Sequence, residues 1–125
     1  MTNAEDVEVM AAKSETTDPK FTILLPVHRG PHLLPYAVES VVRQIEKSFE
    51  LFIICDGAPE ATADYARSCE TRDTRVRAFV FPKGQRNGEA HRHTALSHAR
   101  GRFVAQIADD DLWFDDHLLE LEKLL

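Results

Sequence analysis

The chain has 125 residues, a formal net charge of -6, 43% hydrophobic residues and 29% charged residues, which is one globular domain of ordinary size. A net negative chain lacks the basic face that general nucleic-acid binding needs, no apolar run approaches the roughly 20 residues that span a bilayer, and the amino terminus has neither the basic start nor the apolar core of a secretory signal. The expected compartment is the cytoplasm, and Cys55 and Cys69, which have no metal-ligand spacing, fit buried thiols in a reducing environment.

Residues 1–19 are rich in Glu, Asp, Thr, Ser and Ala without apolar periodicity, so a mobile tail is expected up to Pro19, followed by a folded domain over residues 20–125. "FTILL" reads as a buried strand ending at Pro26. Residues 33–45 place Leu34, Ala37, Val38, Val41, Val42 and Ile45 at helical spacing, with Glu39, Arg43 and Gln44 on the polar side. The pattern repeats with "FELFIIC" as a strand, residues 59–72 as a helix, and "RVRAFVF" as a strand before the loop "PKGQRNG". A helix through "EAHRHTALSHA", the strand "RFVAQIA" and a last helix beginning near Asp115 complete the chain. Alternating strands and helices of this length predict an α/β fold: a mainly parallel sheet of about four strands covered on both faces, with right-handed crossovers.

In such sheets ligands bind beyond the carboxyl ends of the strands, where the strand order reverses. The polar and glycine residues collect there: Pro26, His28 and Arg29 after the first strand, Asp56 and Gly57 after the second, Lys83 and Arg86 after the third, and Asp109, Asp110 and Asp111 after the fourth. Three adjacent carboxylates repel one another. In an extended segment Asp109 and Asp111 face the same way, so the pair could share a hard divalent cation such as Mg2+ or Mn2+; an acidic start to the final helix explains them as well. Asp56 could accept a hydrogen bond from a nucleobase or ribose, or cap the next helix. Lys83, Arg86 and Arg92 surround the start of the fourth-strand crossover helix, where an anion could bind, and they read equally as a solvated basic loop. His91 and His98 share a helical face, but a structural zinc site needs four ligands and no others have suitable spacing.

From Phe21 to Leu125 the chain resembles the amino-terminal, donor-binding half of family 2 glycosyltransferases of the GT-A fold, a Rossmann-like three-layer half-domain. The resemblance lies in "FTILLPVHR", "LLPYAVESVVRQ", "FELFIICDGA", "RVRAFVFPKGQRNGEAHRHTAL" and "ARGRFVAQIADDDLW", in that order. It implies a UDP- or GDP-linked nucleotide-diphospho-sugar donor and a divalent cation. Asp56 would contact the base, Asp109 to Asp111 would match the D-x-D that contacts ribose and holds the metal, and Arg92 would match the Arg of the family's A-R-N.

The chain departs from the pattern where Cys55 stands for the first Asp of D-D-G-S, Ala58 for its Ser, and His93 for the usual Asn. The family's catalytic base is expected beyond Leu125. The resemblance therefore implies either an inverting glycosyltransferase, or its donor-binding portion, or a truncated nucleotide-sugar-binding remnant. It also implies that "FVAQIA" presents an open sheet edge prone to self-association. A metal-dependent phosphohydrolase with an aspartyl nucleophile is a further alternative, although in the haloacid-dehalogenase type that motif follows the first strand.

Overall fold

The computed structural model describes residues 18–125. The expected mobile tail therefore lies outside the described residues except at its end, where Pro19 is buried and its carbonyl accepts the Arg102 N–H at 3.3 Å. The elements are β1 (Phe21–Val27), α1 (Leu34–Val42), β2 (Phe49–Asp56), α2 (Glu60–Arg72), β3 (Val76–Phe81), α3 (Glu89–Leu96), β4 (Phe103–Gln106) and α4 (His117–Leu124), with a 3-10 turn at Arg86–Gly88. All strand pairs are parallel and the sheet order is β3-β2-β1-β4. This is the expected α/β class.

Alternation along the strands sorts the core into two layers. Phe21, Ile23, Leu25 and Val27 of β1 join Phe49, Leu51, Ile53 and Cys55 of β2 beneath α1, α2 and Leu118 of α4. On the opposite face Leu24, Phe52 and Ile54 pack with Phe79 and with Ala95 of α3. Each large aliphatic or aromatic side chain so buried contributes about 1.5–3 kcal/mol. Among the described elements only α3 covers the second face, so Val104 of β4 stays 52% exposed and the expected two-sided cover is incomplete there. Burial pushes the Cys55 thiol up to about 11, which keeps it protonated and unreactive at neutral pH.

Several element ends differ from the sequence reading, and two of them are informative. β1 continues through Pro26 to Val27. Leu24 accepts the Ile107 N–H, so alternation aims residue 26 at the same side, beyond the last β4 pair at Gln106; the missing proline N–H therefore breaks no ladder bond. Helix α1 stops at Val42, three residues short of the expected end, and the roles of the next residues invert. Gln44, assigned to the polar side, is wholly buried, while Ile45, assigned to the apolar side, is 59% exposed. Once the helix ends, helical spacing no longer dictates which way a side chain points.

The buried Gln44 amide has structural work. Its Nε2 donates to the carbonyls of Ser40 at 3.1 Å and Phe114 at 2.6 Å, and its Oε1 accepts the Leu118 N–H at 2.9 Å. Ser40 Oγ accepts the Trp113 N–H at 3.2 Å, and Ile45 N–H reaches the Asp115 carbonyl at 2.9 Å. The backbone that follows the aspartate run is thus pinned to the end of α1.

Candidate functional site

The chain runs β1, β2, β3 in one direction across the sheet and then returns to place β4 on the far side of β1. The crossovers through α1 and α2 lie on one face and that through α3 on the other. Sheets of this kind take ligands in the crevice at such a reversal, here the one between the carboxyl ends of β1 and β4.

Asp56, the last residue of β2, lies on the other side of β1 from β4 and is only 5% exposed. Its Oδ1 accepts the Gly84 N–H at 2.6 Å, Lys83 Nζ stands 3.5 Å from Oδ2, and His91 Nε2 stands 3.7 Å from Oδ1. Burial alone would push the Asp56 carboxyl up, but the Gly84 N–H and the Lys83 ammonium outweigh it and hold the group below the usual carboxylate range. A carboxylate with a depressed folded pKa adds stability above its unfolded value of about 3.9, and that stability is lost as pH falls through the lower folded value. His91 is fixed beside it by a 2.7 Å contact between Nε2 and the Pro82 carbonyl and by stacking on Phe81 at 4.3 Å.

Glycines let the loop after β3 close over Asp56. Gly88 has φ +75°, and a Cβ there would lie 2.6 Å from Asp56 Oδ2. Gly88→Ala is expected to destabilise the fold by about 1–2 kcal/mol through left-handed strain, with displacement of the Asp56 carboxylate in addition. Urea unfolding measures the first effect, and a crystal structure of the variant the second.

Pro26, Val27, His28, Asp56, Lys83 and Arg92 line one cavity of about 200 Å³. Five of the residues singled out in the sequence, Pro26, His28, Asp56, Lys83 and Arg92, are thereby brought together from the ends of β1, β2 and β3 and from α3. Arg86 is not among them. Its backbone adopts φ 52°, its side chain is 83% exposed, and its guanidinium lies 3.6 Å from Glu89 on a separate depression that also includes Gln85 and His93. His91, considered in the sequence only for zinc, instead stands beside Asp56; the glycines of "PKGQRNG" were the available signal that this loop folds back on a neighbour.

On the β4 side of the crevice Asp109 is 4% exposed, whereas Asp110 and Asp111 are open to solvent. The run is not extended: Asp111 N–H donates to the Ala108 carbonyl at 3.1 Å, closing a turn, so the side-by-side arrangement expected for Asp109 and Asp111 is replaced by one buried and one exposed carboxylate. The acidic helix start is also displaced, because α4 begins only at His117. Arg29 Nε stands 3.0 Å from Asp109 Oδ2, and its NH2 3.9 Å from Asp110 Oδ2. The first contact is an ion pair without hydrogen-bond geometry, since Asp109 Oδ2 is buried with no hydrogen bond.

A buried carboxylate oxygen with unused lone pairs fits a hard divalent cation. Among the described residues no group of three His, Cys, Asp or Glu side chains converges as a ready metal site. Asp109, with Asp111 nearby in sequence, therefore suits an ion of the Mg2+ type, which takes one or two protein carboxylates and completes its shell with phosphate oxygens and water. The two histidines considered for zinc rest on different rings, His91 on Phe81 and His98 on Phe79.

The sheet order defines an α/β protein whose strand order reverses at β1. The chain belongs to glycosyl transferase family 2, whose family model matches residues 22–125. It is 30% identical over 113 residues to an uncharacterized glycosyltransferase of Rickettsia felis, a match covering 90% of this chain and 18% of that protein. It is 28% identical over 99 residues to the UDP-Glc:alpha-D-GlcNAc-diphosphoundecaprenol beta-1,3-glucosyltransferase WfgD of Escherichia coli, covering 78% and 37%. The chain thus spans well under half the length of these relatives. Among solved structures, S. aureus TarS 1–349 in complex with UDP superposes with a TM-score of 0.73 at 18% identity, covering 83% of this chain and 31% of that one. The mannosyltransferase PcManGT of Pyrobaculum calidifontis, solved with GDP-Man and Mn2+, gives 0.62 at 22%, covering 76% and 28%. Both show the GT-A fold.

Proposed function

We propose that this chain binds a nucleotide-diphospho-sugar, UDP- or GDP-linked, together with Mg2+ or Mn2+, as the donor-binding part of an inverting glycosyltransferase. The observation that carries the reading is the buried, hydrogen-bond-free Asp109 oxygen at the switch point, across the crevice from the cavity floored by Asp56. The ligands of TarS and PcManGT, UDP and GDP-Man with Mn2+, support it.

In this reading Asp56, held ionised by Gly84 and Lys83, accepts from an N–H of the base, with Pro26 and Val27 as the apolar wall beside it. Asp109 and Asp110 meet the ribose. His28, Arg29 and Arg92 supply donors toward the diphosphate; Arg86, which lies outside the cavity, would need to move to join them. Asp109 and Asp111 would hold the cation, which neutralises charge on the departing nucleoside diphosphate. The base that deprotonates the acceptor hydroxyl is assigned to none of these residues.

Calorimetric titration with UDP, GDP and their sugar conjugates in Mn2+ is expected to show binding of one series; folded protein that binds neither removes the donor-site reading. Assays of donor hydrolysis and sugar transfer then separate a working transferase from a nucleotide-sugar-binding remnant. A phosphohydrolase is disfavoured because the aspartates follow an edge strand on the far side of β1. Buried, free Cys55 and Cys69 suit a reducing compartment, and no helix among the described residues is long and apolar enough to cross a membrane, so we place the protein in the cytoplasm. The open β4 edge with exposed Val104 supports self-association, which light scattering checks: oligomers are expected, and a monodisperse monomer contradicts this part.

A further inference from the structure

We infer that Arg29 is a displaceable internal cation: it neutralises Asp109 in the metal-free protein, gives way to the divalent ion, and then engages the donor's diphosphate. The inference rests on the donor-site reading above and adds an order of events and a specific residue to it.

Asp109 is nearly inaccessible to water, and a buried carboxylate without a counter-charge is strongly destabilising. Arg29 supplies that charge from across the switch point, with Nε 3.0 Å from Oδ2. The pairing is incomplete, because the guanidinium N–H groups are not aimed at Oδ2 and leave it without a hydrogen bond. A side chain selected only to lock this carboxylate would be expected to make the two-pronged contact that arginine and carboxylate readily form. Instead the oxygen is neutralised while its lone pairs remain available.

The two ends of Arg29 are held differently. Its carbonyl accepts a 2.8 Å hydrogen bond from the Oγ1 of Thr62, a wholly buried residue of α2, so the backbone is a fixed pivot. Its side chain is half exposed and reaches a second carboxylate, Asp110, only at 3.9 Å. A divalent ion at Asp109 would repel the guanidinium from the oxygen it faces. Turning about the fixed pivot, the freed guanidinium keeps its planar fork of donors at the rim where a diphosphate would lie. Metal and nucleotide then strengthen each other's binding, because the ion releases the group that the diphosphate needs.

The test compares wild type, Arg29→Met and Lys83→Met. Lys83 carries an equal charge on the same rim but faces Asp56. In Mn2+ titrations followed by electron paramagnetic resonance without nucleotide, Arg29→Met is expected to bind Mn2+ about fivefold more tightly than wild type, and Lys83→Met within about twofold of it. At saturating Mn2+, calorimetry is expected to show UDP binding Arg29→Met about tenfold more weakly. Should Arg29→Met fail to fold by circular dichroism, Arg29→Lys is read in its place, with the same two signs and smaller factors. Mn2+ binding that is no tighter in the Arg29 variant, or equally tightened in Lys83→Met, overturns the inference; the second result would mean diffuse repulsion rather than competition at Asp109. If wild type binds Mn2+ and UDP while the Arg29 variant is unchanged, only this inference falls. If folded wild type binds neither, the donor-site reading falls with it.

Discussion

Asp109→Asn is expected to weaken UDP binding in Mn2+ by about 100-fold, the upper part of the range for groups that support a metal site, while binding without Mn2+ changes far less, because a weakened ribose contact and a released Arg29 act in opposite directions. The asparagine keeps the shape of the buried side chain but removes the charge that attracts the cation. The fold should tolerate it, because the change also removes a buried charge whose oxygen forms no hydrogen bond. Paired calorimetric titrations with and without Mn2+ read the effect as collapse of the two curves onto one. The corresponding change at exposed Asp110 should have a much smaller effect, which separates a specific ligand from general acidity.

Gln44→Ala is the substitution expected to affect folding most. It removes three hydrogen bonds, to Ser40, Phe114 and Leu118, at about 1 kcal/mol each, for a loss of about 3 kcal/mol by denaturant unfolding. It also leaves the Leu118 N–H and the Phe114 carbonyl in need of new partners. The segment between Asp111 and α4 would loosen from the end of α1, so donor affinity should fall even though residue 44 lies outside the crevice. Gln44→Glu is the informative companion: it retains the acceptor for Leu118 but places a carboxylate against two carbonyls, and should destabilise as much or more.

Gln44 also shows where sequence reading reached its limit. The apolar spacing of Leu34, Ala37, Val38 and Val41 was sufficient to identify α1 and its buried face, since each of these residues is buried as its position demands. The same spacing carried past Val42 put Gln44 outside and Ile45 inside, because periodicity holds no information about where the helix ends when no glycine or proline marks the end. Pro26 gave the opposite error, a strand cut short, because whether a missing N–H matters depends on a neighbour more than 70 residues away in sequence.

At the crevice, the ends of the strands were legible because the apolar runs terminate in charged residues, and the parallel order then brings Pro26, His28, Asp56 and Arg92 to one cavity. The local path of each loop was not. Asp109 to Asp111 turn rather than extend, and that turn decides which carboxylate is buried. Arg86 is itself left-handed at φ 52° and its exposed side chain pairs with Glu89, so a basic residue near Gly88 in sequence takes no part in covering Asp56. The Arg29–Asp109 pair joins positions 80 residues apart through strand order alone, and no local motif announces it.

The most direct measurement of the central claim is a crystal structure of the protein with UDP or GDP and Mn2+, with the metal located by its anomalous scattering. The account predicts the manganese peak at the Asp109 carboxylate, the base in the cavity lined by Asp56 and Arg92, and Arg29 turned away from Asp109 toward phosphate. A manganese site elsewhere, or a nucleotide bound outside the crevice between β1 and β4, would contradict it.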